Sequence, residues 1–441
     1  MNRLLSLWDD LRSSLWFIPA LLVFGAVALA IILIEAESYV AGEQLSDDWP
    51  RLFGAGAEGA RGMLGAIASS MITVAGVAFS ITIVSFALAS SQYTSRILRN
   101  FMRDRGNQTV LGTLLGIFAY CLVVMRTIRG GDEGAFVPSL AVLVAVLLAL
   151  VAVGVLVYFI HHIAASIQAS SIIQAAAQET THAVDRLYPA DASEPPVPVP
   201  AATEPARQDW ATVPAHATGY VQSIDEEALV AIACELETVV RMERGVGEFL
   251  IEGAPLVALA GKRPDRAYTR KLNAAYTVGR YRTVREDAAY GIGQIVDVAL
   301  KALSPGMNDP TTAIICIDHL AAVLVRLAPR RVERSHRYEA GQLRVIIRAP
   351  TFPSLVAQAF EQIRQNAEGN AAVLTRLLEI LATIAAHTRE PDRIGALGVQ
   401  ADAIVETVER TILSRHDRLN VQAAAERLSL VMSHSTSAPQ V

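Results

Sequence analysis

The sequence predicts a mainly α protein: a four-helix transmembrane domain with a long helical extension, followed by a small β module and a helical cytoplasmic domain. Three observations predict it. Four apolar stretches of membrane-spanning length fall before residue 161, a span needing ~20 apolar residues. Helical periodicity then runs on to Leu187, past the last of them. Beyond a Pro-rich interval the pattern changes to short strands and then to amphipathic helices.

With 441 residues, the chain has room for a membrane domain and one or two soluble ones. Its mean hydropathy of +0.35 comes from the first third, the remainder being charged and water-soluble in character. A net charge of −5 argues against a general nucleic-acid surface. Cys121, Cys234 and Cys316 sit among apolar neighbours without metal-ligand spacing and read as reduced packing residues.

Residues 1–187 form the membrane domain, with spans at about 15–34, 63–92, 109–128 and 136–160. Met1–Ser14 is an amphipathic lead-in. In the first span, Ala28-Leu29-Ala30 mimics a signal-peptidase site. The apolar run continues through Ile34, so a retained span is expected. The second span is unusual in composition. Gly62, Ala66, Ser69, Thr73, Gly76 and Ser80 share one stripe at a 3.6-residue period, suited to a close helix contact or a water-lined path. Arginines set the orientation. Arg3, Arg12, Arg96, Arg99, Arg103 and Arg105 lie at the N-terminus and in the second loop, against Arg51, Arg61, Arg126 and Arg129 on the other side. Both termini are therefore placed in the cytoplasm.

The fourth span has no natural stop. Ile160, Ile163, Ile167, Ile173, Ala177, Val184 and Leu187 continue its stripe, so one helix from Phe136 to Leu187 would be about 75 Å long at ~1.5 Å per residue. It carries no formal charge between Val137 and Gln178, only His161 and His162. Such a helix suits a covered position such as an oligomer's centre. Adjacent histidines point ~100° apart on a helix, which fits an interface better than a shared metal.

Residues 188–214 read as a Pro-rich extended linker. Residues 215–262 read as a small β module whose glycine–strand–glycine–Pro-Leu order is similar to half of a biotinyl/lipoyl-type barrel. The carrier lysine of such domains is missing, and no cofactor is expected. Residues 263–432 are read as helical, including one helix over Asn273–Leu303. Gly306 ends that helix, Asp309 caps the next, and Pro310 occupies its first turn. Residues 433–441 are read as a disordered tail.

Polar residues crowd around Arg280, Arg282, Asp287, Asp297, Asn308 and Asp309. Salt bridges and caps explain them most simply, and a ligand site is the alternative. Ser304, His319 and an aspartate could be written as a triad, but no nucleophile-elbow pattern surrounds Ser304. There is no phosphate-binding glycine loop, HExxH or CxxC pair, so neither catalysis nor a metal site is expected.

Several motifs together resemble a bacterial family of predicted membrane proteins, domain of unknown function 2254. They are Ser90-Ser91-Gln92-Tyr93-Thr94-Ser95-Arg96 after the Ser/Thr-rich span, the Gly247-Glu248-Phe249 turn, and Ala302-Leu303-Ser304-Pro305-Gly306-Met307-Asn308-Asp309-Pro310-Thr311. The family pattern has Asp where this chain has Glu248, which keeps the charge. The resemblance implies a bacterial integral membrane protein and transfers no catalytic residue. Three roles follow from the sequence. The first is a homo-oligomeric channel or transport-like protein with a cytoplasmic regulatory domain. The second is a membrane-anchored sensor or scaffold for a cytoplasmic partner or ligand, and the third a membrane enzyme. The lipid bilayer and a second copy of the chain are the expected partners.

The arginine distribution makes a topological prediction. A reporter active only outside the cytoplasm should work when fused near Asp47 and fail when fused near Ala201; the reverse pattern would invert the orientation.

Overall fold

A computed structural model describes residues 16–39, 56–92, 104–129, 136–166, 168–188, 210–261, 263–332 and 335–437. The lead-in, most of the acidic first loop, Arg96, Arg99 and Arg103 of the second, and linker residues 189–209 lie outside the described residues. The chain divides into two compact units, Met1–Ser171 and Ile172–Val441.

The first unit holds helices α1 (Phe17–Tyr39), α2 (Ala57–Gln92), α3 (Arg105–Thr127) and α4 (Ser139–Ser166). α3 is the most enclosed, with Val110, Leu114, Ile117, Tyr120 and Val124 buried against its neighbours. Its glycines allow close packing: a side chain at Gly112 would strike Pro19 and Leu22, and one at Gly116 would press on Leu22 and Ala26 of α1. Polar side chains tie the backbones of different helices together. The Arg61 guanidinium donates to the Ile128 carbonyl at 2.6 Å, and Tyr120 Oη donates to the Ala141 carbonyl at 2.8 Å. The Glu37 carboxylate accepts the Leu140 amide at 3.1 Å.

The fourth span and its extension are two helices. α4 stops at Ser166, and α5 (Ala169–Leu187) begins after a bend at Gln168. Ser166 Oγ donates to the Ile163 carbonyl, the local competition that makes serine a poor residue for continuing a helix. The predicted stripe is buried at Ile173, Ala177 and Val184, so α5 is covered by this chain without an oligomer.

The second unit opens with α5 and two sheets. Strands β1 (Trp210–Pro214), β2 (Gly219–Ile224), β3 (Val240–Met242), β4 (Phe249–Leu250), β5 (Pro255–Ala260), β6 (Tyr276–Gly279), β7 (His336–Glu339) and β8 (Gln342–Ile346) enclose helices α6 (Glu226–Glu235) and α7 (Arg266–Ala274). One sheet has the order β1-β5-β3-β8-β7, the other β4-β2-β6. β3 and β8 pair in parallel; the other pairs are antiparallel. Leu229, Leu256, Leu259, Leu272 and Val345 close the core between them. Fully burying such a side chain stabilises the fold by about 1.5–3 kcal/mol.

Four readings change here. The end of the expected linker is β1, paired with β5. The β module is larger than residues 215–262, because β6, β7 and β8 complete its sheets. The expected helix over Asn273–Leu303 begins only at Ala288: Tyr276-Thr277-Val278 is β-branched and aromatic, and it pairs with β2. The last helix runs to Ser437, into the stretch read as a tail.

The helical part comprises α8 (Ala288–Leu303), α9 (Pro310–Leu327), α10 (Phe352–Asn366), α11 (Ala371–Ala385), α12 (Pro391–Thr411) and α13 (Arg415–Ser437). The predicted cap holds, Asp309 accepting from the Thr312 amide at 3.1 Å and from its hydroxyl at 2.6 Å. These bonds hold the Asp309 carboxyl below its ordinary range. Among the described residues, five helices are long and apolar enough to cross a membrane: α1 to α4 and also α9.

α5 is anchored by Arg330, only 8% exposed, which donates to the Val184 and Tyr188 carbonyls and pairs with Asp185 at 2.7 Å. Arg330→Ala should lower stability by about 2–3 kcal/mol, the scale of charged hydrogen bonds lost from buried acceptors. Arg326→Ala, which removes an exposed partner of the same carboxylate, should cost less than about 1 kcal/mol. Thermal unfolding of the purified full-length variants measures both, and equal losses would refute the anchoring role.

Candidate functional sites

On α2 the six residues of the stripe face outward. Gly62, Ala66, Ser69, Thr73, Gly76 and Ser80 are all exposed, and a Cβ built at Gly62 or Gly76 would meet nothing within 4 Å. The face packed inside the unit is a different one: Ala60, Leu64, Ala68, Met71, Ala75 and Ala78, continued by Thr82 and Ser85. Thr73 donates to the Ser69 carbonyl at 2.8 Å and Ser80 to the Gly76 carbonyl at 2.9 Å. Such back-bonding lets these hydroxyls tolerate an apolar medium, yet leaves their oxygens open to a second acceptor role. The arrangement therefore presents a flat, small-residue strip on a span already packed on its other side.

In the second unit the polar crowd divides in two. Arg282 and Asp287 meet: Nε lies 2.9 Å from Oδ2, and a terminal nitrogen 2.8 Å from it. They are five residues apart and would not face each other on a helix. Thr283 is extended, and a single 3-10 turn over Val284–Glu286 brings the carboxylate back. Asp287 also caps α8, accepting the Tyr290 amide at 2.9 Å, while the Arg282 guanidinium lies over the Tyr290 ring at 5.0 Å. Asp309 and Asn308 lie beyond the far end of α8, about 24 Å away along a 16-residue helix at ~1.5 Å per residue. Asn308 is exposed with φ +46°, and Asp297 is half-buried along α8. Arg280 stands apart, exposed, its guanidinium over the Tyr281 ring at 5.2 Å. Of the other triad candidates, Ser304 Oγ donates to the Lys301 carbonyl, and Asp318 binds Arg376 at 2.7 Å. The structure supplies no observation for a triad.

The Arg282–Asp287 pair recruits residues that the polar count missed. Gly247 has φ +84°, and any side chain there would overlap the Asp287 carboxylate and the Arg282 guanidinium. Beside it, Glu248 pairs with Arg348 and, at 3.4 Å, with Arg244. Tyr276 is 6% exposed, its hydroxyl buried without a hydrogen-bond partner, and burial raises that hydroxyl's pKa. The Gly247-Glu248 motif was the available signal for this junction; Arg348, a hundred residues away, had none. Burial outweighs the neighbouring guanidinium and holds the Asp287 carboxyl above its ordinary range. Chemically the junction is an ion pair clamped under a glycine turn, its carboxylate buried and its guanidinium partly exposed. Among the described residues, no group of three His, Cys, Asp or Glu side chains could hold a metal ion.

Comparison with known proteins follows this geometry. The family described as Predicted membrane protein (DUF2254) matches residues 12–383. Uncharacterized proteins of Mycobacterium tuberculosis and Mycobacterium bovis are each 33% identical over 450 residues, covering 100% of this chain and 85% of their own length. No solved structure matches the chain.

A raised carboxyl pKa in the folded state means that the native protein holds the Asp287 proton to higher pH than the unfolded chain does. Its contribution to stability is therefore full below the ordinary carboxylate range and declines as pH rises through the raised value. Asp287→Asn cannot titrate there. The melting-temperature advantage of wild type over Asp287→Asn should shrink between pH 4 and pH 8. An advantage that grows would mean the Arg282 attraction outweighs burial.

Proposed function

The chain belongs to the DUF2254 family of predicted membrane proteins, and from that premise we propose that it is a homo-oligomeric, channel- or transport-like protein of the bacterial inner membrane, with both termini and a regulatory unit in the cytoplasm. α1 to α4 are its spans. α9 shares their hydropathy but suits a soluble core better. Its Cys316, Ile317, Leu320 and Leu324 are fully buried, and its Asp318 and Arg326 are bonded to Arg376 and Asp185.

The observation that carries this reading is the outward strip of α2. A lipid-facing helix gains nothing from replacing large apolar side chains with Gly62, Ser69, Thr73, Gly76 and Ser80. A neighbouring helix gains close approach from them, and a water path gains hydroxyl oxygens. Two-fold or cyclic self-association would place copies of this strip together. A sensor or scaffold is the second reading, supported by an open groove of about 580 Å³ between α9, α11 and α13, where Thr375, Arg376, Glu379, Asn420 and Arg427 offer polar contacts.

Single cysteines at Ser69, Thr73 and Ser80, in a chain lacking Cys121, Cys234 and Cys316, discriminate the cases. Labelling by a small water-soluble thiol reagent is the expected result for a conduction path, and oxidative cross-linking without labelling for a dry interface. Three positions reached only by lipid-soluble reagents would remove both.

A further inference from the structure

A second feature of the first unit is independent of the α2 strip. Toward one end of the four helices, several polar side chains are buried. The Arg61–Ile128 bond fixes α2 and α3 as antiparallel neighbours. Twenty-four residues onward along α2 stands Ser85, and the same count back along α3 stands Asp104, so the two lie at one height to within a helical turn, ~36 Å from that bond. Thr82 and Ser85 are buried there, their hydroxyls donating to the Ala78 and Ile81 carbonyls. On α3 the first turn contributes Asn107, 2% exposed, with neither its amide oxygen nor its nitrogen hydrogen-bonded. An amide left so inside a membrane domain costs several kcal/mol, roughly the penalty of any unsatisfied polar group in hydrocarbon. Water, which both donates and accepts, removes that cost.

Across this layer Asp104 joins two spans. Its Oδ1 accepts the Gly106 amide at 2.8 Å and caps α3. Its Oδ2 lies 2.6 Å from Nε2 of His162 on α4. At that distance one proton is shared between the carboxylate oxygen and the ring nitrogen. Gly106 is required for the approach, since a Cβ there would run into the His162 ring. The ring stacks on Tyr158 of its own helix at 5.3 Å. Among the described residues, the other polar groups at this height are few, Gln108 of α3, buried beside Asn107, being one. α3 adds Arg105, exposed, and α2 adds Thr82 and Ser85 among the described residues. α1 packs on α3 near Gly112, and its described residues toward this end, Trp16 and Phe17, do not titrate. His161 is exposed on another face of α4.

We propose that Asp104 and His162 form a proton-binding latch between the third and fourth spans, with the ligand proton delivered through water at the Asn107 layer. Histidine is the side chain that changes charge near neutral pH. With His162 neutral, one hydrogen bond holds the two helices; with His162 protonated, the same contact becomes an ion pair. Acid therefore tightens the latch and base loosens it, whether or not a solute path runs along α2.

The test uses the full-length protein in lipid nanodiscs, with Ser85→Cys as a reporter in a chain lacking the three native cysteines. The rate of modification by a small water-soluble methanethiosulfonate is expressed per thiolate. It should rise about threefold to fivefold from pH 6 to pH 8, the scale of a partly screened ion pair. His162→Gln and Asp104→Asn should each abolish that dependence and fix the rate near its pH 8 value. His162→Arg, always charged, should fix it near the pH 6 value. A reporter unreactive at both pH values would show that water does not reach the layer. A pH dependence surviving in His162→Gln or His162→Arg would assign the titration to another group. Either result overturns the proposal.

Discussion

Hydrocarbon cannot hydrogen-bond a peptide group, and the first unit is arranged around that constraint. A helix leaves four amides and four carbonyls unpaired at its ends, and an unsatisfied one inside a bilayer costs several kcal/mol. Arg61, Glu37 and Tyr120 each supply a partner to another helix's backbone. Arg61 and Glu37 therefore act twice, satisfying an end and fixing which helices are neighbours, while Tyr120 adds a third tie, to a carbonyl in the first turn of α4. The apolar surfaces of α1 to α4 are nearly interchangeable, so these few directional bonds and the glycines at Gly112 and Gly116 give the packing its specificity.

The same constraint explains why α2 was only half legible. Its length and apolarity announced a span, and its small residues announced a close contact. Two stripes of small residues run along it, however. Ala60, Ala68, Ala75 and Ala78 pack inside the chain, while Gly62, Ala66, Ser69, Thr73, Gly76 and Ser80 do not. Periodicity identifies a face but not the surface it meets. That choice depends on the glycines of α3 and the directional bonds at the helix ends, none of which is a local property of α2.

Elsewhere, legibility followed locality. Asp309 is readable as a cap because a cap needs only its own next three residues, and its bond to the Thr312 amide is present. β6 was read as helix because Val278, Tyr281 and Val284 fit a 3.6-residue period, while the strand exists through pairing with β2, some fifty residues earlier. β8 enters the larger sheet beside β3, about a hundred residues away, a parallel pairing that no local pattern encodes. Arg282 and Asp287, five residues apart, would not face each other on a helix. They meet because the backbone between them is extended and then turns once.

That junction shows how a costly feature is retained. A buried ion pair gains less from attraction than it loses in desolvation unless its remaining hydrogen bonds are made. Asp287 makes them, with one oxygen on the Arg282 guanidinium and the other on the first turn of α8. The carboxylate thus sets where α8 begins, and the guanidinium over Tyr290 fixes the incoming strand against that helix. Gly247 then lets the β4 turn close over both, at the one position where a side chain would collide with them. A hydrophobic pair of equal volume could fill the space but would not define the helix start, the strand exit and the turn together. Specific joining of the sheets to the helices, more than added stability, is what this pair contributes.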